Sequence, residues 1–155
     1  MAPATLSLEN PVFAAYVFYS TLCILKMLLM VPLTVRQRYT NKVFSNPEDC
    51  KGLKTRSGEK VQPVFDHDGV ERVRRNHLND IENIIPFIIL AFFYLVINPD
   101  QTVAIYHFRI FLISRVLHTI SYQCHIPQPA RGLSFMVGMI VNFSMAIQVV
   151  MATYS

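Results

Sequence analysis

Charge is scarce in this 155-residue chain: only 15% of its residues are Asp, Glu, Lys or Arg, against 52% hydrophobic residues and a mean hydropathy of +0.34. That balance is too apolar for a water-soluble domain of this size, so a membrane protein is the first reading. Cysteine is scarce too. Cys23, Cys50 and Cys124 are odd in number and lack C-x-x-C spacing, which argues against a disulfide framework and against zinc. His67, His107 and His125 are not spaced as metal ligands and are left with local hydrogen-bonding or surface roles. No metal is expected. No basic segment precedes the first apolar run and no small-x-small site follows it, so that run is expected to stay in the mature chain rather than act as a cleaved signal peptide. The net charge of +4 and sequence pI near 9.1 come from basic residues beside apolar runs, where solvation or anionic lipid accounts for them better than nucleic acid.

What is present is four stretches of spanning length: about 11–35, 71–97, 102–122 and 131–153. Each span in a bilayer must satisfy its own backbone hydrogen bonds, which predicts an all-α, four-transmembrane-helix bundle filling one domain, residues 1–155. Ser7 to Asn10 followed by Pro11 supplies a helix start, with a capping side chain ahead of the proline. Residues 36–70 form the one long connection, with turn signals at Ser45-Asn46-Pro47-Glu48-Asp49 and Ser57-Gly58. A loop beyond about 12–15 residues suggests a site rim or lid. Arg36, Arg38, Lys42, Lys51, Lys54, Arg56, Lys60, Arg72, Arg74 and Arg75 lie in this connection or at the start of span two, whereas residues 1–10 and 98–101 hold no Lys or Arg. The positive-inside rule therefore places the loop in the cytosol and both termini on the far side.

The polar groups then converge on the cytosolic half. Glu71 to Pro86 is dense in charge and leads directly into an apolar run. Arg75, Asn79 and Glu82 are spaced i, i+4, i+7 and share a helix face, as do Arg115, His118 and Tyr122 at i, i+3, i+7. Lys26 interrupts span one; it either snorkels to the interface or pairs inside the bundle, with Asp80 as the candidate partner. Arg38, Arg74, Arg75, Arg115 and Arg131 outnumber Asp80 and Glu82 at comparable depth, which favours an anionic ligand over a purely structural network. Multiple arginines suit a ligand with several carboxylates, and Glu82 could take its ammonium group. Glutathione has that charge pattern, and an adjacent arginine would help ionise its thiol.

Val43-Phe44-Ser45-Asn46-Pro47-Glu48-Asp49-Cys50, the run Val70 to Asn83 and His107-Phe108-Arg109 resemble the membrane-associated proteins in eicosanoid and glutathione metabolism, and within that family its microsomal glutathione-transferase branch. The resemblance covers nearly the whole chain. It implies a homotrimer of four-helix subunits in the endoplasmic reticulum membrane, with the mitochondrial outer membrane as a second location. Glutathione would bind at subunit interfaces facing the cytosol, and hydrophobic electrophiles or lipid hydroperoxides would arrive from the bilayer. By position, Arg38, Arg74, Arg75, Asn79, Glu82, Arg115, His118 and Tyr122 are expected to bind or adjoin glutathione. Arg131 is expected to stabilise the thiolate, with Asp49 as its catalytic partner by analogy with the prostaglandin E synthase branch.

Alternatives stay open at this point. Leu78, Gly132 and Phe135 stand where the synthase branch has arginine, serine and tyrosine, which makes endoperoxide isomerisation the second reading. A four-span channel or adaptor is the non-enzymatic one. Cys50, beside Lys51 and Lys54, is either an inert loop thiol or a regulatory one. Met27, Met30, Met136, Met139, Met145, Phe92, Phe93 and Tyr94 are read as packing or lipid-facing residues.

Overall fold

The computed structural model describes residues 6–55 and 57–154. Arg56 and residues 1–5, which contribute to the charge asymmetry, lie outside the described residues. Four helices follow in order: α1 (Pro11–Asn41), α2 (Asp68–Val96), α3 (Gln101–Gln123) and α4 (Ala130–Tyr154). Each is long and apolar enough to cross a membrane.

Local chemistry sets the helix ends. Asn10 Oδ1 accepts from the backbone N–H groups of Val12 (3.0 Å) and Phe13 (3.5 Å), with Pro11 following at the first helical position. Asp100 caps α3 through Val103 N–H at 2.9 Å. At the other end of α1, Lys42 turns left-handed (φ +53°) and its N–H reaches the carbonyls of Arg38 and Tyr39. The helix thus runs on past Val35 to Asn41, because nothing in that polar segment breaks it and Asn41 Nδ2 donates back to Gln37 O at 2.9 Å. Arg36 and Arg38 are therefore helical residues, not loop residues. Similarly, α2 begins at Asp68, with Asp68 and Glu71 complementing the helix dipole in its first turn.

The bundle packs α1 against α2 and α3, and α4 against α2 and α3; α1 and α4 do not touch. Aromatic and small residues fill its centre. Phe87 and Phe111 stack at 3.9 Å, Phe108 meets Phe87 edge-on at 6.1 Å, and Ala91 and Ala104 are fully buried. The outer surface is apolar: Leu25, Leu28 and Leu29 of α1 and Ile140, Phe143 and Ile147 of α4 are all exposed. In water such faces would aggregate; in lipid they are the solvated surface.

The α1–α2 connection has structure of its own. Pro47–Cys50 forms a 3-10 turn, Lys54 and Lys60 make an antiparallel bridge, and Phe44, Cys50, Val61 and Leu53 pack into a small core. At the opposite end of the bundle, Tyr94 is 1% exposed. It is more than a packing residue, because its hydroxyl donates to Gln148 Oε1 at 3.1 Å. Gln148 Nε2 in turn reaches Ser144 Oγ (3.3 Å), and Ser144 lies 2.9 Å from His107 Nε2, tying α2, α3 and α4 together.

Candidate functional site

Building from the interior outward, Lys26 of α1 donates to Asp80 of α2 in an ion pair whose carboxylate is fully buried. One helical position away, Asn79 turns toward α3 and α4. Its Oδ1 accepts from Arg115 Nη1 at 3.0 Å, and its carbonyl accepts from Asn83 Nδ2 at 2.7 Å. Arg115 has no exposed surface, and its carbon Cζ lies 6.0 Å from the centre of the Phe135 ring. Gly138 on α4 allows the close approach of α3 beside it: a Cβ there would stand 3.0 Å from Ser114 Oγ, and in ordinary contact, 3.6 Å, with Arg115 Nε. Arg115 Nε and Nη2, Asp80 Oδ2 and His118 Nδ1 are buried with no hydrogen-bond partner among the described residues. Such density of buried polar atoms in a membrane bundle makes this layer a candidate functional region.

In front of this layer opens a cleft of about 280 Å³ lined by Asn79, His118, Tyr122, Gln128, Arg131, Gly132 and Phe135. Arg131, in the first turn of α4, lays its guanidinium over the Tyr122 ring at 4.8 Å. The His118 and Tyr122 rings are 5.6 Å apart. Arg72 Nη1 donates to the Tyr122 carbonyl (3.4 Å), holding the end of α3 to the start of α2. Gln128 bends back to accept from Gly132 N–H at 3.1 Å, capping α4.

Within one chain the cleft unites Asn79, His118, Tyr122 and Arg131. Arg115 stands directly behind the wall, touching Asn79 rather than facing the opening. The other expected residues lie elsewhere. Arg38 braces the end of α1 against the loop through Val43 O (3.5 Å) and Ser45 Oγ (3.2 Å). Arg74 is exposed and pairs with Glu71 at 2.7 Å. Arg75 is exposed on the outer face of α2. Glu82 is exposed in a separate groove between α2 and α4, with Pro86, Met139 and Asn142. Asp49 is exposed and accepts from Asn46 Nδ2 at 3.0 Å; it does not line the cleft with Arg131. Cys50 is 7% exposed, on the floor of a hollow rimmed by Lys51, Lys54 and Lys60. Among the described residues, no group of three or more His, Cys, Asp and Glu side chains converges as metal ligands.

Gln128 and Phe135 complete the cleft, and the pattern of charge in the sequence points to neither. Gln128 is neutral and lies in a proline-rich turn. Its signal is subtler: an amide side chain just ahead of a helix start, where orphan N–H groups need acceptors.

A family model for the MAPEG family matches residues 16–151. The chain belongs to the MAPEG family. Microsomal glutathione S-transferase 1 of Mus musculus is 47% identical over 147 residues, covering 94% of each chain. The Homo sapiens protein of that name is 47% identical over 146 residues, again 94% of each. Prostaglandin E synthase of Homo sapiens is 36% identical over 149 residues, covering 96% of this chain and 95% of that one. With its four apolar helices, this MAPEG chain is a multi-pass membrane protein.

Proposed function

We propose that this MAPEG protein is a membrane glutathione transferase, joining the glutathione thiolate to hydrophobic electrophiles that partition in from the bilayer. The observation that carries the reading is the cleft in which Arg131, Asn79, His118 and Tyr122 meet, in a chain 47% identical to proteins named microsomal glutathione S-transferase 1. Arg131 is the residue for the sulfur. A thiol with a reference pKa of about 8.5 is a poor nucleophile at neutral pH, and a guanidinium restrained over Tyr122 stabilises its ionised form before reaction. The tripeptide supplies one substrate from the aqueous side, and the lipid-facing apolar surface supplies the other. Reduction of lipid hydroperoxides by the same thiolate is part of this proposal.

The remaining charged residues are best explained by assembly. Glu82 is exposed two residues before the apolar run of α2 that begins at Ile84, and a lipid-facing carboxylate in a membrane helix costs up to roughly 2.5–3.5 kcal/mol on insertion scales. A homotrimer would turn this face toward a neighbouring subunit, where Glu82, Arg75, Arg38 and Asp49 could complete a cleft begun by Asn79 and Arg131. The basic loop favours a cytosol-facing site, in the endoplasmic reticulum and mitochondrial outer membranes.

The test is an activity panel on detergent-purified protein with glutathione and a model aryl halide, a lipid hydroperoxide or a prostaglandin endoperoxide. Conjugation of the aryl halide is expected to dominate isomerisation of the endoperoxide. The reverse ranking would favour the second reading, endoperoxide isomerase, supported by the 36% identity to prostaglandin E synthase. A channel or adaptor would bind no glutathione at all.

A further inference from the structure

The cleft contains two amide side chains, and the structure determines which end of each looks outward. Arginine has donors and no acceptor, so the contact from Arg115 Nη1 to Asn79 can only engage the amide oxygen. Asn79 Nδ2 is thereby left as the free terminus. The same logic applies to Gln128: a backbone N–H can only donate, so Gly132 N–H claims Oε1 and leaves Nε2 without a partner among the described residues. Both side chains line the cleft. Two independent donors, one from the buried interior and one from the first turn of α4, therefore turn the amide nitrogens toward the same space that Arg131 enters. Gly132 also leaves space for this contact, since a Cβ there would stand 3.1 Å from Gln128 Oε1 and press it back by a few tenths of an ångström.

We propose that Gln128 is a further ligand-binding residue, and that it and Asn79 form a donor-only wall, fixed from behind by Gly132 N–H and Arg115, that selects an acceptor-only carboxylate of the ligand. Arg115 on this view is a positioning residue that never touches the ligand. The inference rests on the glutathione reading of the cleft and adds to it a residue and a selection rule.

Asn79→Asp and Gln128→Glu test it, because each keeps an oxygen for the donor behind and replaces the outward nitrogen with an oxygen. A carboxylate at residue 128 also suits the N-terminus of α4 electrostatically, so a role limited to capping would leave the melting temperature level or higher and the glutathione affinity unchanged. The measurement is the glutathione dissociation constant of detergent-purified full-length protein, alongside its melting temperature. Both variants are expected to bind at least about tenfold more weakly, the scale of one charge-assisted hydrogen bond, while melting near the parent. Should either acidic variant fail to fold, Gln128→Met removes the donor without adding charge and is expected to weaken binding as well. Wild-type affinity in Gln128→Glu or Gln128→Met overturns the proposal alone; absence of glutathione binding by the wild-type protein overturns the reading beneath it.

Discussion

At the scale of single residues, the interior of the bundle depends on a few charges whose partners lie within reach. Lys26→Met would strand the buried Asp80 carboxylate and is expected to cost about 3–5 kcal/mol, the usual penalty for breaking one half of a buried pair. Adding Asp80→Asn should recover much of that loss in thermal unfolding. The pairing of Lys26 with Asp80 is one of two outcomes the sequence allows, because a lone charge in an apolar span either snorkels to the interface or finds a partner in the bundle. Arg115 was harder to read. Helical spacing placed it on one face with His118 and Tyr122, but burial cannot be inferred from spacing alone, and packing against Asn79 and Phe135 draws it behind the cleft. Cys50 carries a separate expectation. The residue is buried in a cluster with Phe44 and Val61, so alkylation should be slow, limited by opening of the loop, and a bulky adduct should then alter the conjugation rate by disrupting that small core. Unchanged rates in reagent-treated wild type and in Cys50→Ser would remove any regulatory role.

At the scale of elements, the two ends of the bundle have different tasks. The end that carries the Gln123–Pro129 turn holds the cleft, whereas the opposite end is tied by Tyr94, Gln148, Ser144 and His107. Interhelical hydrogen bonds in membranes average about 0.6 kcal/mol, so Tyr94→Phe should lower stability by about that amount and leave conjugation kinetics unchanged. A clear fall in turnover would show that the far end communicates with the cleft. The four helices themselves were legible from apolar run length, because a bilayer leaves the backbone few choices. The ends were less so. α1 continues to Asn41 because hydropathy reports where lipid stops, and a helix needs only unbroken hydrogen bonding to continue. The tie at the far end is not legible in the sequence for a related reason: Ser144, Gln148 and Tyr94 are individually ordinary in an apolar helix, and only their convergence gives them meaning.

At the scale of the whole molecule, the proposed trimer separates residues that serve the ligand from residues that serve the subunit. Glu82→Gln should weaken glutathione binding while preserving subunit stability, and Asp80→Asn should do the opposite, as read by glutathione titration and detergent-dependent dissociation of the oligomer. Equal effects of both variants on both readouts would erase that division. The central claim is narrower, that the cleft beneath Arg131 binds glutathione and ionises it. It is tested most directly by the ultraviolet difference spectrum of glutathione bound to the purified wild-type protein and to Arg131→Ala. The wild type is expected to develop thiolate absorbance near neutral pH. The variant should lack it and conjugate at least about 100-fold more slowly, in line with loss of a preorganised anion-stabilising group. An Arg131→Ala protein that retained both the thiolate band and the turnover would contradict the assignment.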